Sequence, residues 1–210
     1  CETVDRAHAE YLPSPFLSCV IEECIEKGID VTAGGARYNF SGIQAIQPAN
    51  VADSLAAIKQ MVFDEKKISR EALLAALRAD FKDTETLRQS LLHKVPKYGN
   101  DVEWVDRIGE KWAGYFAERL SAHTNIRGGL YHMGLYTVSA HVPMGKNVAA
   151  TTDGRRSGEP LADGGLSAMY GRDLAGPTAL LNSVSRIASG NASNGTLLNM
   201  KFRPSFFATA

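Results

Sequence analysis

Apolar residues recur along most of this chain at helical spacing, and the exceptions are concentrated in a few glycine-rich stretches. Glu2 to Tyr11 reads as a helix ended by Pro13. Ser14-Pro15 then supplies an N-cap and a first-turn proline, and Leu17, Val20, Ile21 and Cys24 recur at helical spacing before Gly28, so a second helix is expected there. Asp30 to Asn50 carries Gly34, Gly35 and Gly42 with polar groups on Arg37, Asn39 and Gln44. Tyr38, Phe40, Ile43 and Ile46 give that stretch side chains to bury, which makes it an ordered loop and not a linker. Helical pattern returns at Val51 to Asp64 with a stripe of Leu55, Ile58, Met61 and Val62. Ser69 is placed to cap a helix whose stripe is Leu73, Leu74, Leu77 and Phe81. A shorter helix spans Asp83 to Lys94 and ends at Pro96. After the turn at Lys97 to Asp101 comes the longest helix, with Val105, Ile108, Trp112, Tyr115 and Phe116 aligned before Gly128.

The last third changes character. Leu130 to Val142 is rich in Tyr, Thr, Val and Met and stops at Pro143, which predicts an interior strand. Alternation would put Tyr136, Val138 and Ala140 on one face and Thr137, Ser139 and His141 on the other. Gly145 to Gly165 is a polar loop holding Asp153, Arg155, Arg156, Glu159 and Asp163 among five glycines. Gly176-Pro177 opens a helix, and Gly195 to Phe202 reads as a second strand. Strand, long loop, helix and strand form one crossover unit of an α/β fold, whose ligands sit beyond the carboxyl ends of the strands.

Composition narrows the function classes. The chain has 210 residues, is 44% hydrophobic, and carries 23 basic and 23 acidic side chains. That is enough for one sizeable core, with no apolar run able to cross a bilayer and no basic face for nucleic acid. Three cysteines, Cys1, Cys19 and Cys24, are too few and too unevenly placed for a disulfide framework, which makes the cytoplasm the default compartment. Cys24 falls on an apolar stripe, so a buried hydrophobe fits better than a metal ligand. No internal repeat or low-complexity segment is present.

The candidate chemistry is ambiguous residue by residue. His132 and His141 flank the expected strand and suit either acid–base work or a hydrogen-bonded buried role. The charges of the Gly145 to Gly165 loop could bind an anionic substrate, but pairing with one another and with loop backbone is the more economical reading. Gly34-Gly35 lacks the Lys-Ser, Lys-Thr or third glycine of a nucleotide loop. The sequons at Asn39, Asn191 and Asn194 have no meaning without secretion.

Five blocks together carry a resemblance: TAGGARYNFSG (Thr32 to Gly42), ANVADSLAAIKQMVFDEKKIS (Ala49 to Ser69), PKYGND (Pro96 to Asp101), YTVSAHVPMGKNVAATTDGRRSGEPLADGGLSAMYGRD (Tyr136 to Asp173) and SNGTLLNMKF (Ser193 to Phe202). The chain resembles the glycyl radical enzymes of the pyruvate formate-lyase superfamily, with wording closest to the glycerol and choline dehydratase–lyase branch. The resemblance implies an α/β fold that is part of a ten-stranded barrel. It also implies cleavage of a C–O or C–N bond, or a C–C bond, of a small polar metabolite by thiyl-radical hydrogen abstraction. No bound cofactor is implied; the organic glycyl radical is installed by a separate iron–sulfur activating enzyme using S-adenosylmethionine. A homodimer is implied for the full-length protein, with no nucleic acid or membrane partner. The implied substrate-binding residues are Tyr136, Val138, Ala140 and His141.

Departures from the family pattern qualify this. No Arg-Val-Ala-Gly-Tyr type motif for the radical glycine occurs up to Ala210. Cys1-Glu2 lacks the glycine of a Gly-Cys-x-Glu turn and lies too close to Gly34, while Cys19 and Cys24 fall on an expected helix. The expectation is therefore an internal portion of one barrel domain, with the thiyl-cysteine segment and the glycyl-radical domain both outside it. Thr152 stands where a proline is usual, and Gln44 to Pro48 where a more glycine-rich sequence is usual. Three alternatives remain open: formate C-acetyltransferase activity, a degenerate non-catalytic member, and an unrelated α/β small-ligand-binding protein.

Overall fold

The computed structural model describes residues 1–187 and 189–202. They fall into two compact units, one of Cys1–Ile43 with Phe116–Met133 and one of Gln44–Tyr115 with Gly134–Ala210. The terminal Phe206 to Ala210 stretch lies outside the described residues.

In the first unit, helix α1 is Glu2–Tyr11, as the pattern predicts, yet it buries no residue. The expected Ser14 to Gly28 helix is broken. Helix α2 covers only Pro15–Ser18, and α3 only Cys24–Lys27, with Glu23 between them at φ 74°. The cause is Asp30, whose carboxylate accepts from the Ser14 N–H at 3.0 Å, the Ser18 hydroxyl at 2.8 Å, and the Thr32 hydroxyl and N–H at 2.6 and 2.9 Å. This knot ties the end of α2 to a 3₁₀ turn at Val31–Ala33, and the bonds from Thr32 hold the Asp30 carboxyl down at about 2. Continuing the helix would break these bonds, so of its stripe only Cys24 is buried, while Leu17 and Val20 are exposed. Gly28 does end the segment, in the left-handed region at φ 63°.

The Asp30 to Asn50 loop is ordered, but not through the side chains expected. Tyr38 and Phe40 are exposed, and Ile43 and Ile46 are only half-buried. Within this stretch β1, Ser41–Gln44, pairs with β2, Tyr131–Gly134. Bonds from the Ser41 N–H to the Leu130 carbonyl at 3.0 Å and from Ala45 to Gly134 at 2.8 Å make the pairing parallel. Asn125 anchors the approach to β2: its amide donates to the Asn39 carbonyl at 2.6 Å and accepts from the Arg127 and Gly129 N–H groups.

In the second unit, α4, Pro48–Ala57, starts with Pro at its first turn and runs into a π-helical segment, Ile58–Asp64. The widened turn brings side chains five apart together, Lys59 with Asp64 at 2.5 Å and Gln60 with Glu65 at 2.8 Å. The stripe predicted for this helix holds at Met61, which is buried, with Ile58 and Val62 half-buried, and fails at its start. Leu55 is exposed, and the face turned inward is Ala49, Ala52, Asp53 and Ala56. Helix α5, Arg70–Arg78, is capped by Ser69 as expected, its hydroxyl accepting from the Ala72 N–H at 3.1 Å. Helix α6 is Glu85–His93, and α7, Glu103–Ser121, is the longest among the described residues. A Cβ at Gly109 of α7 would lie 3.1 Å from Ile187 and 3.5 Å from Ala52, so that glycine sets how closely α7 approaches α4.

The expected strand from Leu130 to Val142 is corrected to β2 alone, followed by a single parallel bridge between Leu135 and Thr196. Beyond it Val138 takes φ 50°, the Ala140 N–H bonds the Thr137 carbonyl at 2.8 Å, and His141 opens helix α8, His141–Lys146, with Pro143 in its first turn. Proline is tolerated there because the first-turn N–H groups have no helical partner. The second expected strand reduces to the same bridge, with the Leu135 N–H on the Gly195 carbonyl at 2.8 Å and the Leu197 N–H on the Leu135 carbonyl at 2.9 Å. Helix α9, Pro177–Arg186, lies between the bridged residues in sequence, so the crossover connection is present in this shortened form. Among the described residues no helix is long and apolar enough to cross a membrane.

Candidate active site

The second unit places charge in its interior. Asp53 sits on the small-residue face of α4 and is completely buried. One carboxylate oxygen accepts from the Tyr98 N–H at 2.8 Å and the other from Arg172 Nη1 at 3.1 Å. The same Nη1 reaches Asp153 at 2.7 Å, so one guanidinium bridges two buried carboxylates. Asp153 also accepts from the Asn50 amide at 3.0 Å and from the Thr151 hydroxyl. Lys97 is buried as well and donates to the Leu91 carbonyl at 2.6 Å.

Burial dominates the titration of Asp53 and lifts it to about 6 despite Arg172 and Lys97 nearby. Burial also pushes Asp153 upward, but Arg172 and the bonds from Thr151 and Asn50 outweigh it, leaving that carboxyl below its ordinary value. Desolvation brings Lys97 down to about 8. Two carboxylates around one guanidinium thus diverge, the better hydrogen-bonded one keeping its charge.

The Gly145 to Gly165 loop closes over this cluster. Arg155, only 1% exposed, donates to the carbonyls of Glu159 at 2.6 Å, Val148 at 3.0 Å and Ala149 at 2.5 Å. Arg156 reaches outward to the Asp80 carbonyl at 2.8 Å and to Glu85 at 2.7 Å. Its N–H is accepted by Glu159 at 3.0 Å, and Asp163 pairs with Lys201 at 3.4 Å. These contacts favour loop fixing over anion binding as the use of the charges. Beside the loop a cavity of about 560 Å³ is lined by Arg88, Lys97, Asn100, Glu159, Tyr170 and Arg172 among others.

The four residues expected to face a substrate are dispersed around the turn after β2. The Tyr136 hydroxyl accepts from the Asn194 amide at 3.4 Å, and its ring lies over Gly195. Val138 is 74% exposed. Ala140 is half-buried, and His141 Nε2 meets the Tyr170 hydroxyl at 2.9 Å. Thr137, assigned to the opposite strand face, is the buried member of this turn and accepts the Gly164 N–H at 3.0 Å. His132 packs against the Phe40 ring at 4.2 Å. The sequence pattern does not anticipate Asp53, Lys97 and Arg172 at the centre of the unit. The available signal is Asp53 itself, a carboxylate among Ala49, Ala52 and Ala56 at helical spacing.

With this geometry in view, a family profile described as pyruvate formate lyase-like matches residues 1–145. This chain belongs to that family, the glycyl radical enzymes. A second profile, described as glycine radical, matches residues 162–210. The chain is similar to the solved glycerol-bound B12-independent glycerol dehydratase of Clostridium butyricum, at 47% identity and a TM-score of 0.92, covering 97% of this chain and 26% of that one. It is 40% identical to the (2S)-3-sulfopropanediol dehydratase of Klebsiella oxytoca over 95% of this chain and 25% of that protein. To the trans-4-hydroxy-L-proline dehydratase of Clostridioides difficile it is 35% identical over 96% of this chain and 25% of that protein. The chain therefore spans about a quarter of the length of these relatives. Family membership overturns the alternative of an unrelated ligand-binding protein.

Proposed function

We propose that these residues are part of a glycyl radical dehydratase or lyase that cleaves a C–O or C–N bond of a small polar metabolite. The observation that carries this reading is the 47% identity and TM-score of 0.92 to a glycerol dehydratase across nearly the whole chain. The fold is then one portion of a ten-stranded α/β barrel in a cytoplasmic homodimer, and the crossover through α9 to the Leu135–Thr196 bridge supports the barrel. Chemistry in such an enzyme is hydrogen abstraction by a thiyl radical, after which a neighbouring water or amine departs. The radical is installed by an S-adenosylmethionine iron–sulfur activating enzyme.

The glycines present do not stand in an Arg-Val-Ala-Gly-Tyr type motif and no cysteine stands in a Gly-Cys-x-Glu turn, so no radical step runs through these 210 residues. Their part is to bind and to hold. Tyr136, Val138, Ala140 and His141 are the proposed substrate-facing set, presented by a turn beyond β2 instead of one face of a strand. Arg155 and the Asp53–Arg172–Asp153 cluster fix the loop beside that turn, which keeps reacting groups in place and water out.

The test has two arms, each with electron paramagnetic resonance after anaerobic incubation with an activating enzyme. The 210-residue chain alone is expected to give no glycyl doublet and no turnover. The complete protein carrying it is expected to give the doublet and to release water or amine from small hydroxylated substrates. A doublet on the short chain, or formate release from pyruvate in place of dehydration, would sink the proposal.

A further inference from the structure

The carboxyl ends of the two parallel strands carry a feature that neither loop fixing nor family likeness uses. Gln44 is the last residue of β1, and its Oε1 is buried with no hydrogen-bond partner among the described residues. Three residues on, Gln47 is only 3% exposed, and its Oε1 is likewise without a partner. The other end of the Gln47 amide is fixed, since Nε2 donates to the Ala162 carbonyl at 3.0 Å, so the oxygen's direction follows from a bond on the opposite atom.

Two details indicate that these amides are held in position. Gln47 adopts φ 60°, ψ 59°, a left-handed conformation that is unfavourable for a residue with a Cβ. The side chain therefore stands at a position where the backbone alone would favour glycine. At the end of β2, Gly134 leaves room for the other amide, because a Cβ there would collide with the Gln44 carboxamide. The carboxyl end of parallel strands is where α/β proteins place ligands.

We infer that the carboxamide oxygens of Gln44 and Gln47 accept hydrogen bonds from the hydroxyl groups of a neutral polyol substrate. The chemistry follows from the sign of what is left over. Both unpaired atoms are acceptors, so the ligand must donate, and a carboxylate or sulfonate would repel them. Hydroxyl donors without formal charge fit, and they relieve the desolvation penalty of a buried acceptor that has no partner. This inference rests on the dehydratase reading for its substrate class, but binding can be measured without turnover.

The experiment uses the complete protein, before activation, with glycerol and 1,2-propanediol, which differ by one hydroxyl, as titrants in calorimetry. Gln44→Met and Gln47→Met keep side-chain length and remove the acceptor. Each is expected to raise the glycerol Kd about tenfold, the value of one hydrogen bond, while at least one of them leaves the propanediol Kd unchanged. The melting temperature should hold within a few degrees, because no described partner of either oxygen is lost. Equal weakening of both ligands in both variants, with a fall in melting temperature, would show that the acceptors serve packing, and would overturn the inference. Glycerol binding that is absent, or unaffected by both substitutions, would overturn it too. If the binding pattern holds but the activated protein never releases water, the acceptor pair stands and the dehydratase reading fails.

Discussion

In the unit of Cys1–Ile43 and Phe116–Met133, Phe16 is 86% exposed, while in the unit of Gln44–Tyr115 and Gly134–Ala210 Asp53, Asp106, Asp153 and Arg155 are buried at 1% or less. Each departs from the expected sorting of apolar inside and charged outside, in opposite directions. In the second unit every one of these charges has a named partner: Asp53 and Asp153 share Arg172, Asp106 meets Arg186 at 2.8 Å, and Arg155 takes three carbonyls. In the first, the polar knot around Asp30 is satisfied while Phe16 and Leu17 of α2 and Ile25 of α3 stand exposed. Burial thus follows the surface available to cover a group and the partners available to satisfy it, and polarity alone decides neither.

The strongest way to break this contrast is to remove the shared cation. Arg172→Met leaves Asp53 and Asp153 buried without their guanidinium and is expected to destabilise the protein by about 3–5 kcal/mol, measured by urea unfolding. Combining it with Asp53→Asn and Asp153→Asn should restore much of the loss, because no charge is then left uncompensated. A change under about 1 kcal/mol for Arg172→Met would mean the cluster is not what holds α4 to the loop.

Next in size is the pH dependence of Asp53. Its carboxyl is raised from 3.8 to about 6, so the folded protein binds more protons than the unfolded chain between those values, and stability falls as pH rises through that window. Asp53→Asn removes this contribution and keeps an acceptor for the Tyr98 N–H. The wild type should therefore lose roughly 2–3 kcal/mol relative to the Asp53→Asn variant as pH goes from about 4 to about 7, with no further change from this group above that range. Paired melts at about pH 4.5 and about pH 7 read the difference. A constant gap, or one of opposite sign, would show that Arg172 keeps Asp53 ionised throughout.

A smaller effect sharpens the surface side of the comparison. Ser69→Ala removes the capping bond to Ala72 at the start of α5 and should cost about 1 kcal/mol, read by the same melts.

That cap is also an instance of what the sequence makes legible. Ser69, Gly28 and Gly176-Pro177 mark helix ends where the pattern predicts them, because each acts on backbone within one turn of itself. The break in the Ser14 to Gly28 helix is not legible locally, because Asp30, from beyond its end, takes both Ser14 and Ser18. The long strand fails for a similar reason at longer range: the Thr137 hydroxyl accepts from Gly164, and the chain turns at Val138. The buried cluster joins residues more than a hundred positions apart, Asn50 with Asp153 and Asp53 with Arg172, which no local period records. The charged loop reads as self-fixing, and Arg155 fulfils that through carbonyls lying only 4 to 7 residues away.

The smallest effect expected in the 210-residue chain itself tests the apolar face of the first unit. Phe16 lies in the short helix α2 with most of its ring in solvent, so Phe16→Ser in the 210-residue chain removes almost no buried area. Its unfolding free energy should stay within about 0.5 kcal/mol of the parent, the range for surface substitutions, while binding of a dye for exposed apolar surface should fall. The relatives are about four times as long as this chain, and a phenylalanine covered by further polypeptide would behave differently. In the complete protein the same substitution is expected to cost about 3 kcal/mol or more, comparable to truncating a buried phenylalanine. No effect in either context would mean that the face stays open in the longer protein as well. A large loss already in the short chain would mean that Phe16 is packed within the first unit itself, and the contrast between the two units would fail at its apolar end.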